Sequence, residues 1–199
     1  LSASKWDREY LCKACHLYLL RILLKPAPPI LHRPYPPFRA LEKLIMGANM
    51  LKGEEAGKAL GNALAVNTVL KELDISGGRY ASERCDVEFV KEFAVGLAAN
   101  GALENLHFGA NSIPADKTKE IISICESKPT MKVLCEVPFK DKTITELDIS
   151  GKNLGTEGAL VVSYYLENNG ALTSLNISAN KLTRGTLRPG QSGVFDHHY

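Results

Sequence analysis

The sequence has 199 residues, 45% of them apolar, and its 24 Lys and Arg residues nearly balance its 22 Asp and Glu residues. This length and composition are typical of a globular chain with one sizeable core, and they exclude a collagen-like or wholly disordered protein. The five cysteines form an odd set, and Cys125 falls on the apolar face of a predicted helix. We therefore expect free buried thiols rather than a disulfide framework, which predicts a reducing compartment.

The N-terminal region, residues 1–37, is predicted to be a basic helical segment followed by a proline-rich linker. Residues 1–40 contain seven Lys or Arg against two acidic residues, whereas the rest of the chain contains 17 against 20. Residues 6–25 are rich in apolar side chains and indicate a helix that either caps the open end of a repeat array or docks onto a partner or a membrane surface. The apolar run at residues 17–24 is too short to span a bilayer, so we expect no transmembrane segment.

A motif within this basic segment matches the attachment pattern of a covalent c-type haem. Cys12, Cys15 and His16 form C-x-x-C-H, which would supply two thioethers and an axial imidazole. A cytochrome needs several helices around the macrocycle, and the repeats described next leave no room for them. A zinc site would need a further ligand, because the sequence has no second C-x-x-C. We expect these residues to lie on a helix without a cofactor.

Most of the chain repeats the pattern L-x-x-L-x-L-x-x-N-x-L. Five good copies open at Leu41, Leu70, Leu103, Ile144 and Leu172, and a poor sixth copy opens at Met131. The stretches between them have apolar residues at helical spacing, which predicts helices at residues 54–66, 87–99, 117–127 and 156–168. Each full period therefore fits one strand and one helix. Only 13 residues separate Met131 from Ile144, which leaves room for a strand and a turn but no helix, so we expect the array to bend or break there.

These copies resemble the leucine-rich repeat family, specifically its long, ribonuclease-inhibitor-like subtype. The resemblance implies an α/β fold, a leucine-rich-repeat solenoid over residues 38–182, with a curved parallel sheet and helices on the convex side. The N-terminal helical and proline-rich arm precedes this solenoid, and a tail at residues 183–199 follows it. Asn49, Asn111 and Asn180 hold the ninth pattern position, where an amide bonds the backbone as the chain leaves the strand. Gly78 and Lys152 replace asparagine in two copies, which predicts irregular turns there.

Side chains alternate along each predicted strand, so the strand residues of the repeat divide into a core-facing and a solvent-facing group. Leucines at positions four and six should face the core, whereas positions three and five should face solvent on the concave side. The predicted partner-binding residues on that face are Lys43, Glu72, Asp74, Asn105, His107, Glu146, Asp148 and Asn176. In parallel strands Asp74, His107 and Cys135 would form a row that could converge on a transition metal. Aligned polar residues are equally what a solvated sheet presents, so we expect no metal.

The best interpretation of the function is a non-enzymatic protein-interaction module or scaffold, as a subunit of a larger assembly. No phosphate-binding glycine loop, serine-nucleophile elbow or H-E-x-x-H helix is present, so we predict no catalytic residues and no cofactor. The alternative is a redox component that binds haem or metal through Cys12, Cys15 and His16, or through His107 and Cys135. Nucleic-acid binding is disfavoured by the slightly acidic repeats. We expect an intracellular location, in the cytoplasm or in an organelle after removal of a targeting peptide.

Overall fold

The structure is a computed structural model that describes residues 41–182. Within this range it is an α/β protein in which strands and helices alternate, except that no helix lies between β4 and β5. The strands are β1 (Lys43–Ile45), β2 (Glu72–Asp74), β3 (Asn105–His107), β4 (Val133–Leu134), β5 (Glu146–Asp148) and β6 (Ser174–Asn176). The helices are α1 (Gly53–Val66), α2 (Val87–Ala99), α3 (Ala115–Ser127) and α4 (Gly155–Asn168). The segment predicted for residues 1–37 and the tail at residues 183–199 lie outside the described residues, and no helix within residues 41–182 is long and apolar enough to cross a membrane.

Every strand pair within residues 41–182 is parallel, and it aligns residues that hold the same position in successive copies of the repeat. Lys43 pairs with Glu72, and Glu72 pairs in turn with Asn105, so third positions lie side by side. Neighbouring parallel strands need a long crossover, and the helix of each period provides it. The expected bend or break in the array is a break: the strands form a four-stranded sheet in the order β1-β2-β3-β4 and a separate two-stranded sheet of β5 and β6, in place of one continuous curved sheet.

The break between the sheets follows from the short sixth copy. Cys135 and Glu136 have φ values of 46° and 64°, and Leu134 and Val137 pair as an isolated antiparallel bridge. The chain therefore turns back on itself directly after β4. Because that turn lies where a further strand would pair, β5 pairs with β6 instead.

The loop after β5 connects the second sheet to the first. Asn153 donates its amide Nδ2 hydrogen to the carbonyl of Gly77 (3.0 Å), and the Ala110 N–H donates to the carbonyl of Leu154 (3.2 Å). Glu157, fully buried in the first turn of α4, accepts the N–H of Ile113 with Oε1. The second sheet is thus held by hydrogen bonds to backbone groups of the loops that follow β2 and β3.

The core lies between the strands and the helices. Leu73, Leu106 and Phe108 from β2, β3 and the turn after β3 are at most 2% exposed, as are Phe89 and Phe93 of α2. Burying such side chains stabilises the fold by roughly 2 kcal/mol each. The phase assigned to the leucines is therefore correct for β2 and β3.

Two leucines of the second sheet depart from that assignment. Leu147 and Leu175 were expected to be buried, and they are only half-buried against the core. The physical reason is that β5 and β6 have no further strand on either side within residues 41–182. Each strand therefore covers one flank of the other and leaves the opposite flank open.

Glycines allow α1 and α2 to approach each other closely. A Cβ atom on Gly96 would lie 2.0 Å from the carbonyl oxygen of Gly61, and one on Gly57 would lie 2.4 Å from that of Phe89. Both separations are shorter than any van der Waals contact, so the two helix backbones touch where a side chain would otherwise keep them apart.

Asparagines bond the turns that follow the strands. Asn111, 2% exposed, donates Nδ2 hydrogens to the carbonyls of Ile75 (2.8 Å) and Phe108 (2.9 Å) and accepts the Cys85 N–H. Asn180 bonds Ile149 and Ile177 in the same way. The predicted role of the ninth position is therefore present in both copies, and each amide links its own turn to the turn of the preceding copy.

Candidate functional site

The solvent-facing strand residues of the first sheet share one face, which we call the open sheet face. Its members are Lys43, Ile45, Glu72, Asp74, Asn105 and His107, which pair across β1, β2 and β3 in register. Side chains alternate along a strand, so these residues point away from the core into which Leu73 and Leu106 are packed. The structure thus brings together five of the eight predicted site residues.

A shallow depression of about 290 Å³ lies on the open sheet face. Val133 and Glu136 complete its lining beside β3, and Ile45, which is 65% exposed, lies on β1 at its other side. The pattern placed Glu136 at the sixth, inward position. The left-handed turn after β4 turns this residue to solvent instead, and nothing in its spacing signals that change.

The other three predicted site residues form a separate group. Glu146, Asp148 and Asn176 share the outer face of β5 and β6, where all three are exposed. Asn176 donates its Nδ2 hydrogen to Asp148 Oδ2 (3.0 Å). Because the sheets are distinct, these residues do not continue the row of the open sheet face.

Ion pairs neutralise part of the acidic charge on the first sheet. Lys43 Nζ lies 2.6 Å from Glu72 Oε2, and this hydrogen bond and charge raise the pKa of Lys43. Glu104 lies between Lys132 and Lys71, whose contacts hold the pKa of its carboxyl below the usual range. Within residues 41–182, Asp74 and Glu136 have no ion pair, so they supply the uncompensated charge beside the depression.

The fifth-position carboxylates also have a structural role that the pattern did not reveal. Asp74 Oδ1 accepts the Ser76 N–H at 2.8 Å, and Asp148 Oδ1 accepts the Ser150 N–H at 2.9 Å. Hydrogen bonds from Ser150 and Asn176 lower the pKa of Asp148. These acids therefore stabilise the turn that ends each strand, as Asp side chains commonly do. Reversing the charge of Asp74 or Asp148 would remove this bond, whereas within residues 41–182 Glu72 and Glu146 make no such bond to the backbone.

The candidate metal row of Asp74, His107 and Cys135 is not assembled. Asp74 and His107 are register partners, but Cys135 is fully buried, because its positive φ turns the side chain into the core. His107 Nδ1 is buried without a hydrogen-bond partner among the described residues. In residues 41–182 no three His, Cys, Asp or Glu side chains are grouped as metal ligands would be.

The described cysteines are buried free thiols. Burial raises the pKa of both Cys85 and Cys125 to about 12, and it raises that of Cys135 well above the usual range. A thiol that stays protonated is a poor nucleophile and a poor metal ligand. The prediction of free buried thiols is correct for these three, whereas Cys12, Cys15 and His16 lie outside the described residues.

No family model matches the sequence, and no curated protein matches it. Among solved structures, a chain described as Leiomodin-1 Actin-Binding Site 2 (ABS2) superposes with a TM-score of 0.44 at 15% sequence identity, covering 88% of this chain and 80% of that chain. A similarity of this size does not extend the actin binding named for that protein to this chain.

Proposed function

We propose that the chain is a non-enzymatic protein-interaction module or scaffold, built as a leucine-rich-repeat solenoid and acting as a subunit of a larger assembly. The observation that carries this proposal is the register of β1, β2 and β3, which places Glu72, Asp74 and His107 on one open face. A rigid parallel sheet holds such side chains at fixed spacings of about 4.8 Å, as a surface that recognises another protein requires.

The charges of this face indicate the chemistry of the partner. Asp74 and Glu136 are uncompensated beside the depression, and exposed Ile45 adds an apolar contact. A partner with a basic residue flanked by apolar ones would complement this arrangement, and long-range attraction would accelerate its association. The second sheet adds the acidic pair Glu146 and Asp148.

The location that fits this proposal is a reducing intracellular compartment. Cys85, Cys125 and Cys135 support it as three buried thiols without a disulfide. The basic N-terminal arm, residues 1–37, would provide a second contact to the same assembly or to a membrane surface. Metal binding at Asp74, His107 and Cys135 is not proposed, because these three side chains are not grouped.

The test begins with the full chain purified from its native source, followed by measurement of association with any stoichiometric protein that co-purifies. Glu72→Lys and Glu146→Lys should each slow association about tenfold and leave the melting temperature unchanged, because neither carboxylate bonds the backbone. Glu88→Lys on α2 is the matched control, since Glu88 is also exposed and paired with a lysine, Lys91.

The control variant should associate at the wild-type rate. If Glu72→Lys and Glu146→Lys both associate as fast as wild type, the partner does not use the strand faces. If nothing co-purifies in stoichiometric amount, the scaffold function itself is contradicted.

A further inference from the structure

The turns that follow α2 and α4 contain the same tetrapeptide, Asn-Gly-Ala-Leu, at residues 100–103 and 169–172. The sequence has no other Asn-Gly pair. In both turns the asparagine is buried and the glycine after it is exposed. Neither Gly101 nor Gly170 has a positive φ, and a Cβ atom on either would meet nothing within 4 Å. The fold therefore accommodates glycine at these positions without requiring it.

An asparagine that precedes glycine has a reactivity of its own. The main-chain nitrogen of the glycine can attack the side-chain carbon Cγ, which forms a C–N bond and closes a five-membered succinimide ring. The Cγ–Nδ2 bond breaks, and ammonia leaves with the proton that the main-chain nitrogen gives up. Water then opens the ring at one of its two carbonyls and yields aspartate or isoaspartate. Glycine permits the attack best, because it has no Cβ to shield its nitrogen or to restrict its backbone.

The native turns leave the nucleophile accessible but hold it away from its target. Within residues 41–182 the N–H groups of Gly101 and Gly170 donate no hydrogen bond, and both residues are exposed. A planar ring needs the main-chain nitrogen eclipsed with Cβ about the Cα–C bond. The ψ angles of 132° at Asn100 and 109° at Asn169 turn the nitrogen away from Cβ. The reaction therefore requires the turn to open, and its rate follows the frequency of opening.

Asn100 is held in place by both neighbouring copies of the repeat. Its Nδ2 hydrogens are donated to the carbonyls of Leu64 (2.7 Å) and Asn67 (2.8 Å) at the end of α1. Its own main-chain carbonyl accepts a hydrogen bond from Nζ of Lys128, the residue that follows α3. The side chain is only 1% exposed. This turn therefore cannot open unless bonds to two other copies break.

Asn169 is bonded only within its own copy of the repeat, as far as residues 41–182 extend. Its Nδ2 donates to Tyr165 Oη of α4 (2.6 Å), and its Oδ1 accepts the N–H groups of Ala171 (2.7 Å) and Leu172 (3.1 Å). The turn lies between α4 and β6, in the sheet that pairs with no strand of the first sheet in the described range. It should therefore open more often than the turn at Asn100.

We propose that Asn169 is a site of spontaneous covalent modification, where attack by the Gly170 nitrogen converts the amide to aspartate or isoaspartate, with water consumed and ammonia released. Two matched turns in the same chain show what distinguishes this site. Asn100 has the same tetrapeptide but a more firmly held turn. Asn67 also accepts two N–H groups of a strand entry and is more exposed, but Thr68 follows it. The reactive sequence and the turn that opens coincide at Asn169.

The conversion weakens the contact between this turn and α4. Tyr165 donates its hydroxyl hydrogen to the carbonyl of Asp141 (2.9 Å), so its oxygen can only accept a bond from residue 169. An aspartate has no hydrogen to donate there, and its charge would lie in a buried position. Isoaspartate also lengthens the main chain by one carbon. Modification should therefore loosen α4 and β6.

The test follows each asparagine of the full chain by peptide mapping and mass spectrometry during incubation at neutral and at mildly alkaline pH. Asn169 should convert at least about tenfold faster than Asn100, and Asn67 should stay unmodified over the same period. Conversion should accelerate as pH rises, because the main-chain nitrogen must lose its proton, and a protein isoaspartyl methyltransferase should label the product. In urea, where both turns are open, Asn100 and Asn169 should convert at equal rates.

Gly170→Ala is the matched variant, because a Cβ there meets no atom and should leave the melting temperature of the fresh protein unchanged. It should slow the conversion of Asn169 at least about tenfold, whereas Gly101→Ala should leave that rate unchanged. Asn169→Asp reproduces the aspartate product. This variant should lower the melting temperature and the hydrogen-exchange protection of β6, and a melting temperature equal to wild type would contradict the loosening of α4 and β6.

The proposal is overturned if Asn169 converts no faster than Asn100 in the native chain, since its turn would then not open preferentially. The same ratio of rates in urea as in the native chain would show that the neighbouring sequence, rather than the fold, selects the site. An unchanged rate in Gly170→Ala, or a product that the methyltransferase does not label, would exclude the succinimide route.

Discussion

At the scale of single residues, the buried asparagines of the turns stabilise the fold, because each side chain forms several hydrogen bonds with the backbone. Asn111→Ala removes two hydrogen bonds to carbonyls and one from the Cys85 N–H, all in the interior. Leaving buried groups unpaired costs about 1 to 3 kcal/mol each, partly offset by relaxation, so we expect the free energy of unfolding to fall by about 3 kcal/mol. Urea denaturation followed by circular dichroism measures this change.

Asn49→Ala is the matched control for this prediction. Asn49 occupies the same pattern position, but it is exposed, and within residues 41–182 it bonds only Met46 (3.1 Å) and Gly47 (3.3 Å). Asn49→Ala should lower the free energy of unfolding by less than about 1 kcal/mol, because water can bond the exposed carbonyls in place of the lost amide. Equal losses for the two variants would mean that the buried network around Asn111 does not stabilise the turn.

The asparagines also show which residue roles the repeat pattern predicts and which it does not. The ninth-position amides were assigned correctly from the pattern, but a second series was missed: Asn67, Asn100 and Asn169 follow α1, α2 and α4. Each accepts two N–H groups of the next strand entry, for example those of Val69 and Leu70 at Asn67. The signal was present, since each lies three residues before an opening leucine. The inward turn of Cys135 had no signal, because it depends on a backbone angle that spacing does not encode.

At the scale of elements, the contact between α1 and α2 requires glycine. Alanine favours a helix over glycine by about 1 kcal/mol, yet Gly96→Ala should destabilise the protein by about 1 to 3 kcal/mol. Its Cβ would lie 2.0 Å from the carbonyl oxygen of Gly61, and a backbone atom cannot move aside as a side chain can. Thermal unfolding measures the effect.

Gly101→Ala provides the comparison, because a Cβ there meets no atom within 4 Å. This variant should unfold at the wild-type temperature or slightly above it. If Gly96→Ala were as stable as Gly101→Ala, the close approach of the two helices would not hold in solution.

The elements themselves were the most predictable part of the fold. Val87–Ala99 was predicted with both ends correct, and α1, α3 and α4 begin one or two residues before their predicted starts. Periodicity is informative here because each helix must bury one face and each strand must alternate. The division into two sheets was less predictable. The interval of 13 residues indicated a bend or a break, but it did not specify which strand pair would be lost.

At the scale of the whole molecule, the two sheets are joined by loop hydrogen bonds and a shared apolar core rather than by a strand ladder. The loop containing Asn153 and Leu154 lies against Gly77, Gly109 and Ala110. Glu157 adds a buried carboxylate whose Oε2 has no hydrogen-bond partner among the described residues. Apolar side chains of α4 such as Val161 and Tyr165 belong to the same core as Phe108, but no strand ladder joins the two sheets of residues 41–182. We therefore expect β5, α4 and β6 to open before the four-stranded sheet does.

Gly109→Ala tests this order of opening. A Cβ on Gly109 would lie 2.5 Å from the carbonyl oxygen of Leu154, so the loop after β5 must move away from the first sheet. Hydrogen exchange should then show that amides of β5, α4 and β6 lose protection relative to wild type, while those of α1 and α2 keep it. Gly170→Ala, where a Cβ meets nothing within 4 Å, is the control and should match wild type throughout. Equal loss of protection in α1 and in α4 would contradict a separately opening second sheet, and it would show that residues 41–182 unfold as one cooperative unit.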